Sequence, residues 1–325
     1  MTVVFYQKLN SFWMEQLEAV KGDFPHITFV HERDQAERMI PQADVLICGV
    51  VDDSLFARAE NLKAVIVPFA GVDHLPYHLL TPRNVRVANS HGNARFVAER
   101  TMALLLAWYG KVMKYHQDLS ENRWHGFWVG KGLDDTWETI QGKSCSILGA
   151  GEIGRYLARY LKAFDCEVIA LKKKREAEIF SCYDLVVYDI DEAIDRGEVI
   201  IVALPATEET RGIINGKRLA RMQGKFLVNI GRGELLEEEA CYRALADGTL
   251  KGAAIDCWYS YPKDGVIGPP SRFPFHELPN VILSPHVAGY TREAAELNIR
   301  QAFINLRMFL AEGSFLYEVD TRHAY

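Results

Sequence analysis

A glycine motif near the middle of the chain constrains the fold more than any other feature. Residues 146–148 are a predicted strand that leads into the sequence GAGEIG, and residues 155–164 then have helical spacing. Gly149 can make the tight turn after a strand, Gly151 lets a pyrophosphate approach the backbone, and Gly154 lets the helix pack close to the strand. The motif could be a glycine-rich turn without function, but its position between a strand and a helix predicts a dinucleotide-binding turn.

The rest of the chain alternates short apolar runs with segments of helical spacing. Such alternation predicts an α/β fold with parallel sheets covered by helices, and a length of 325 residues predicts two domains. The predicted strands are 3–6, 27–30, 45–50, 64–67, 85–88, 146–148, 167–171, 185–187, 199–204, 226–230, 253–255 and 281–283.

Helical spacing is clearest in four further segments. Residues 12–20 and 54–59 are short predicted helices, and residues 94–117 are predicted to form one long helix. The last helix is predicted over 291–312, with Gly313 just beyond its end. An aromatic and glycine-containing stretch, residues 124–128, is interpreted as a loop.

Composition excludes several classes of partner. The formal net charge of −6 and the isoelectric point near 6.0 provide no basic surface, so we expect no nucleic acid partner. The N-terminus lacks the pattern of a secretory signal, and no apolar run approaches the roughly 20 residues that span a bilayer. The six cysteines stand singly, which favours buried thiols in a reducing cytoplasm over disulfides or metal ligands.

A basic cluster stands where many dinucleotide-binding domains have an acidic residue. The predicted strand 167–171 continues into Lys172, Lys173, Lys174 and Arg175. An acid at this position accepts from the ribose 2′-hydroxyl, and it would repel a 2′-phosphate, whereas a basic cluster would bind one. The cluster could also be a solvated charge run in a loop, but its position favours NADP over NAD as the cofactor.

Several separate segments resemble the D-isomer-specific 2-hydroxyacid dehydrogenases, in the order and spacing of that family. They are AGVD at 70–73, VAE at 97–99, ALPATEETRG at 203–212, LVNIGRGELL at 227–236, GAAID at 252–256 and LSPHVAG at 283–289. The resemblance implies a Rossmann-type doubly wound parallel sheet, residues 99–289, inserted into a smaller flavodoxin-like α/β substrate domain made of residues 1–98 and 290–325. It also implies an active site in the cleft between the two domains, and a homodimer.

The same resemblance assigns roles to individual residues. Reduction of a 2-oxo acid needs a cation for the carboxylate and the polarised carbonyl, which Arg232 can supply, and a proton donor, which His286 can supply. Taken singly, these could be a surface ion pair and a structural histidine. Backbone groups around Ala70, Gly71 and Val72 are expected to hold the substrate carboxylate. The expected cofactor contacts are Gly149, Gly151, Glu152, Ile153, Gly154, Lys172, Lys173, Leu204, Pro205, Thr210, Ile230, Gly231, Arg232, Asp256, His286 and Gly289; no metal is expected.

One position departs from the family pattern. The family places a glutamate partner for the histidine shortly after the aspartate, and here Tyr261 occupies that position. A carboxylate would raise the histidine pKa, whereas a tyrosine hydroxyl can orient the ring but cannot form a charge pair. Formate dehydrogenases of the same superfamily have a neutral residue there, so the resemblance still implies hydride transfer.

The predicted function is hydride transfer between NAD(P)(H) and a small 2-hydroxy or 2-oxo acid. Glyoxylate and hydroxypyruvate are the expected substrates. Tyr261 keeps a second hypothesis open, namely a nucleotide-sensing protein with little turnover, similar to the family's corepressor members. A third hypothesis is an oxidoreductase that acts on formate or phosphite.

Overall fold

The computed structural model describes residues 1–126, 136–173, 181–263 and 265–323. The chain divides into two compact units: unit 1 is Met1–Asn93 with Tyr290–Tyr325, and unit 2 is Ala94–Gly289. The C-terminal helix therefore belongs with the N-terminal strands. The division coincides with the start of a helix at Ala94, and the expected boundary at residue 98 falls inside this helix.

Unit 1 contains a six-stranded sheet in the order β13-β5-β4-β3-β1-β2. Strands β1 to β5 are parallel to one another, and β13 runs antiparallel to β5. The order 2-1-3-4-5 is that of flavodoxin-like folds, as expected. The strands are β1 (Thr2–Phe5), β2 (Thr28–Val30), β3 (Val45–Ile47), β4 (Ala64–Ile66), β5 (Arg86–Ala88) and β13 (Glu318–Val319).

Helices cover the sheet of unit 1 and bury its apolar side chains. On one face, α1 (Ser11–Asp23) and α11 (Arg292–Glu312) pack through Trp13 and Phe303, whose ring centroids lie 5.5 Å apart. The side chain of Thr291 accepts from the Ala294 N–H at the start of α11, and Gly313 ends the helix in the left-handed conformation, as predicted. The helices are α1 (Ser11–Asp23), α2 (Arg33–Met39), α3 (Asp53–Arg58), α4 (Tyr77–Leu80) and α11 (Arg292–Glu312).

Unit 2 contains a parallel seven-stranded sheet in the order β12-β11-β10-β9-β6-β7-β8. This is the doubly wound Rossmann order, with its switch point between β6 and β9, and it confirms the expected fold class. The strands are β6 (Ser144–Leu148), β7 (Glu167–Leu171), β8 (Leu185–Val187), β9 (Val199–Val202), β10 (Phe226–Asn229), β11 (Gly252–Ile255) and β12 (Val281–Leu283).

The helices of unit 2 cover both faces of this sheet, which explains why β9, β10 and β11 are buried along their whole length. They are α5 (Ala94–Tyr109), α6 (Val112–Ser120), α7 (Glu152–Lys162), α8 (Ile190–Arg196), α9 (Gly216–Ala220) and α10 (Glu238–Ala246).

The prediction of one long helix over residues 94–117 is wrong. Helix α5 ends at Tyr109 and α6 begins at Val112. Lys111 between them has a φ of 47°, a left-handed conformation that interrupts an α-helix. A Cβ at Gly110 would lie 2.8 Å from the Leu106 carbonyl oxygen, so the break depends on this glycine. In the aromatic stretch, residues 124–126 have no regular structure, and residues 127 and 128 lie outside the described residues.

Three further features concern the cysteines, the length of the helices and the grouping of metal-ligating side chains. All six cysteines are free thiols, and five of them are buried. None of the helices within the described ranges is long and apolar enough to cross a membrane. In the same ranges, no three His, Cys, Asp or Glu side chains come together as metal ligands.

Candidate active site

The glycine motif forms a crowded turn between β6 and α7, at the switch point of the sheet. Gly149 has a φ of 114°, and a Cβ there would lie 2.6 Å from the Ala203 carbonyl oxygen just after β9. A Cβ at Gly154 would lie 2.7 Å from the Gly149 carbonyl oxygen. Gly151 precedes α7 without any side-chain cap, so its helix N-terminus is open to phosphate oxygens. The turn therefore fits a bound pyrophosphate.

The described part of the basic cluster lies at the carboxyl end of β7. The Lys172 N–H donates to the Val187 carbonyl, at 3.0 Å, which extends the sheet by one residue. Lys173 forms a 2.5 Å ion pair with Glu209, and both side chains are mostly exposed, at 69% and 62%. Lys174 and Arg175 lie outside the described residues. The end of β7 thus carries basic groups and no acid at positions 172 and 173.

The loops after β9 and β10 approach each other closely. The Thr210 hydroxyl donates to the Pro205 carbonyl at 2.7 Å and accepts from the Thr207 N–H at 2.8 Å, so it closes the loop after β9. A Cβ at Gly231 would lie 2.7 Å from the Leu204 carbonyl oxygen. Only a glycine allows this contact between the two strand ends.

Arg232 directly follows this contact, and Asn229 fixes its backbone. Asn229 is 1% exposed; its side-chain amide donates to the Arg232 carbonyl at 2.9 Å, and its side-chain oxygen accepts from the Gly231 N–H at 3.2 Å. One guanidinium nitrogen of Arg232 donates to the Gly231 carbonyl at 2.9 Å. Asn229 was not predicted to belong to the site, because in the sequence it is only a polar residue at the end of a buried strand.

His286 is held in an unusual backbone conformation by Asp256. Its φ of 57° is left-handed, which is uncommon for residues other than glycine. The buried carboxylate of Asp256 accepts from the Ser284 hydroxyl at 2.5 Å, the Val287 N–H at 3.0 Å and the Ala288 N–H at 3.1 Å. These charge-assisted hydrogen bonds pin the loop on both sides of His286. Asp256 thus orients the histidine loop, a role that the sequence analysis missed.

Tyr261 lies beside the histidine ring. The two ring centroids are 5.4 Å apart, and the rings are tilted by 47°. The Tyr261 hydroxyl accepts from the Trp258 N–H at 3.1 Å. Burial raises the pKa of Tyr261, and the hydrogen bond from Trp258 and the charge of Arg232 only partly oppose this effect. Tyr261 is therefore a neutral neighbour of His286 at pH 7.

The strand order explains why these three residues come together. Arg232 follows β10, Tyr261 follows β11 and His286 follows β12, and these strands are neighbours in one parallel sheet. The carboxyl ends of parallel strands lie at the same edge, where ligands of such sheets bind. The arrangement offers a guanidinium fork, an imidazole and a neutral hydroxyl at one edge.

The expected carboxylate-binding segment belongs to unit 1. Ala70, Gly71 and Val72 follow β4, and the Ala70 carbonyl accepts from the Asn89 side-chain amide at 2.8 Å. The Val72 carbonyl accepts from the Leu75 N–H at 3.1 Å and from the Tyr77 hydroxyl at 3.1 Å. These bonds use carbonyl oxygens, so they do not compete with the N–H groups that are expected to hold a carboxylate.

Comparisons with known proteins bear on the family. A sequence model described as the D-isomer specific 2-hydroxyacid dehydrogenase, NAD binding domain, matches residues 102–288. The chain is 28% identical over 280 residues to a glyoxylate reductase of Thermofilum pendens, and the aligned region covers 84% of this chain and 80% of that protein. It is 29% identical over 290 residues to a D-3-phosphoglycerate dehydrogenase of Archaeoglobus fulgidus, covering 86% of this chain and 52% of that protein, so it spans about half of that relative. The crystal structure of a Pyrococcus horikoshii protein matches with a TM-score of 0.82 at 28% identity, over 98% of this chain and 95% of that one.

Proposed function

Since this chain belongs to the D-isomer-specific 2-hydroxyacid dehydrogenases, an enzyme family that moves a hydride between a nicotinamide dinucleotide and a 2-hydroxy or 2-oxo acid, we propose that it reduces glyoxylate or hydroxypyruvate with NADPH. The observation that carries the proposal is the neighbouring position of Arg232, Tyr261 and His286 at one sheet edge. The similarity to a glyoxylate reductase supports a small, unphosphorylated acid.

The residues of the glycine turn suit the dinucleotide. Gly149 and Gly154 have no space for a Cβ, and the uncapped start of α7 after Gly151 presents N–H groups to phosphate. When bound, the nicotinamide supplies the hydride. Glu152 and Ile153 begin α7, and Ile230 directly follows β10, so we assign all three to the cofactor side of the site.

Lys172 and Lys173 support a preference for NADPH. Lys173 is paired with Glu209, and an exposed ion pair of this kind contributes only about 0–1 kcal/mol, so exchanging Glu209 for a ribose 2′-phosphate costs little. A charge-assisted hydrogen bond to the phosphate contributes about 1.5–3 kcal/mol. The exchange therefore favours the phosphorylated cofactor at low salt.

Arg232, His286 and Tyr261 each have a separate task in the proposed reduction. The Arg232 guanidinium binds the substrate carboxylate and polarises the carbonyl. His286 donates a proton to the carbonyl oxygen as the hydride arrives at the carbon. Tyr261 holds the imidazole ring from one side but adds no negative charge.

A nucleotide-sensing protein with little turnover is not favoured. The matched relatives are named as enzymes, and the arginine and histidine that the chemistry needs are both present.

A homodimer is part of the proposal, and the apolar side chains of Val112, Met113 and Leu119 support it, because they are 57%, 60% and 49% exposed on α6. The six free cysteines support a reducing cytoplasm as the compartment. Sedimentation velocity tests the dimer, and a monomer at micromolar concentration would contradict it.

Steady-state kinetics with a panel of substrates tests the function. The purified chain is assayed with glyoxylate, hydroxypyruvate and phosphohydroxypyruvate against NADPH and NADH, and with formate and phosphite in the oxidative direction. We expect the highest kcat/KM with one of the two unphosphorylated acids and NADPH. Turnover confined to phosphohydroxypyruvate, formate or phosphite would replace the substrate class, and tight dinucleotide binding without any turnover would favour the nucleotide-sensing hypothesis.

A further inference from the structure

Trp258 contacts the loop that carries His286. The residue follows β11, two positions after Asp256, and is only 6% exposed. Its indole N–H donates to the Ser284 carbonyl at 2.8 Å, and Ser284 is two residues before His286. This hydrogen bond is buried, so loss of the indole N–H would remove a donor from a buried carbonyl.

The backbone of Trp258 contacts Tyr261 and the residue next to Arg232. The Trp258 N–H donates to the Tyr261 hydroxyl at 3.1 Å. The Trp258 carbonyl lies against Gly233, the residue after Arg232, where a Cβ would come within 2.2 Å of the carbonyl oxygen. Three loops, from three neighbouring strands, therefore meet at one residue.

The position of Trp258 is set by the core of unit 2. Its ring packs edge-to-face on Phe275, with centroids 5.7 Å apart and planes at 78°, and Phe275 is 1% exposed. The indole belongs to the apolar cluster that includes Leu235 and Ile255. A side chain that is fixed by packing can hold its hydrogen-bond partners in place.

We propose that Trp258 is a positioning residue that sets the placement of His286 and Tyr261 relative to Arg232. The inference rests on the proposed function, in which these three residues act on the substrate. A purely structural tryptophan would contribute to the stability of unit 2 without any specific effect on the chemistry. The two N–H groups of Trp258 go instead to two different loops of the candidate site, and this geometry points to a role in positioning.

Trp258→Phe tests the proposal because it keeps an aromatic ring in the core and removes the indole N–H. Displacement of catalytic groups by about 1 Å costs on the order of 100-fold in rate. We expect kcat on the best 2-oxo acid to fall by about 10- to 100-fold, with an unchanged dinucleotide Kd. Trp108→Phe is the matched control: Trp108 stacks on Phe226 in the same unit, at 4.8 Å, and should tolerate the change without loss of kcat.

A double mutant separates positioning from general damage. If Trp258 acts through His286, then Trp258→Phe should lower the residual rate of a His286→Ala enzyme by less than about threefold, because effects of residues that act as a unit are not additive. An equal fold-loss in both backgrounds, or an unchanged kcat in the single variant, would overturn the inference. If His286→Ala itself keeps near-normal activity, the proposed function fails instead.

A second variant covers the case in which Trp258→Phe does not fold. Replacement of Trp258 by benzothienylalanine, which has sulfur in place of the indole N–H, keeps the shape of the ring. We expect this variant to unfold at nearly the wild-type temperature and to show the same loss of kcat as the phenylalanine variant. Wild-type kcat in this protein would overturn the inference.

Discussion

Replacement of Tyr261 by glutamate should move the pH dependence of reduction. A glutamate carboxylate at this position would lie near the imidazole, whose centroid is 5.4 Å from that of the tyrosine ring. At the 5.4 Å separation, Coulomb's law gives about 0.8 kcal/mol at the permittivity of water and about 3 kcal/mol at an effective permittivity of 20. Because Tyr261 is 47% exposed, we expect a value toward the lower end, about 1–1.5 kcal/mol, or about one pKa unit.

The sign of the shift follows from the charge. A carboxylate favours the imidazolium form, so it should raise the pKa of His286 and keep the proton donor charged up to a higher pH. The descending limb of kcat/KM for 2-oxo acid reduction should therefore move upward by about one pH unit in Tyr261→Glu. Burial raises the pKa of the native hydroxyl, so Tyr261→Phe replaces one neutral group by another and should leave the midpoint nearly unchanged.

The assay is the pH profile of kcat/KM for the wild type and both variants. Val266→Glu is the charge control, because Val266 is 94% exposed and lies five positions further along the chain. It adds the same charge at a solvated position, where screening should leave the midpoint in place. An unmoved limb in Tyr261→Glu, a large shift in Tyr261→Phe, or an equal shift in the control would refute the interpretation of Tyr261 as the neighbour that tunes His286.

Three further changes test the rest of the proposed site. His286→Ala should lower kcat/KM by about 100- to 10,000-fold and Arg232→Ala should also abolish most activity, both with retained dinucleotide binding by fluorescence titration; near-normal kcat/KM in either variant would reject its role. Lys172→Glu should invert the preference for NADPH by repelling the 2′-phosphate, and titrations with both cofactors at low and moderate salt check this; tighter NADH binding by the wild type would reject the premise. Asp256→Asn should lower kcat by at least about tenfold, because the NH₂ group of the asparagine would face a backbone N–H that now donates a hydrogen bond to the carboxylate. Wild-type kinetics in this variant would show that the loop needs no anion.

Much of the fold could be predicted from the sequence, because buried parallel strands are continuous apolar runs. Each of the twelve predicted strands overlaps an observed one, and the ends differ by a few residues at most. The break between α5 and α6 was not predictable in this way, because the apolar spacing continues across it. It depends on a left-handed Lys111 and a close approach at Gly110, which periodicity does not report. The antiparallel strand β13 has only two residues and was also missed.

The candidate site divides in the same way between what is local and what is not. The glycine turn could be predicted because its function depends on residues that are adjacent in sequence. The supports of the site could not: Asn229, Asp256 and Trp258 act on partners up to 32 positions away, as in the hydrogen bond from the Ala288 N–H to Asp256. A lone asparagine at the end of a strand, or a tryptophan after one, has no distinctive spacing, so these contacts appear only once the strands are assembled.

The supports and the reacting groups are different residues, and this separation explains how Tyr261 can stand at the family's glutamate position. The Trp258 N–H donates to the Tyr261 hydroxyl, whereas Asp256 holds the His286 loop through hydrogen bonds that do not involve residue 261. A change at position 261 therefore alters the charge beside the imidazole while the left-handed backbone of His286 and the strand ends remain in place. We therefore expect the tyrosine to change the pH range of proton transfer and to leave hydride transfer unaffected.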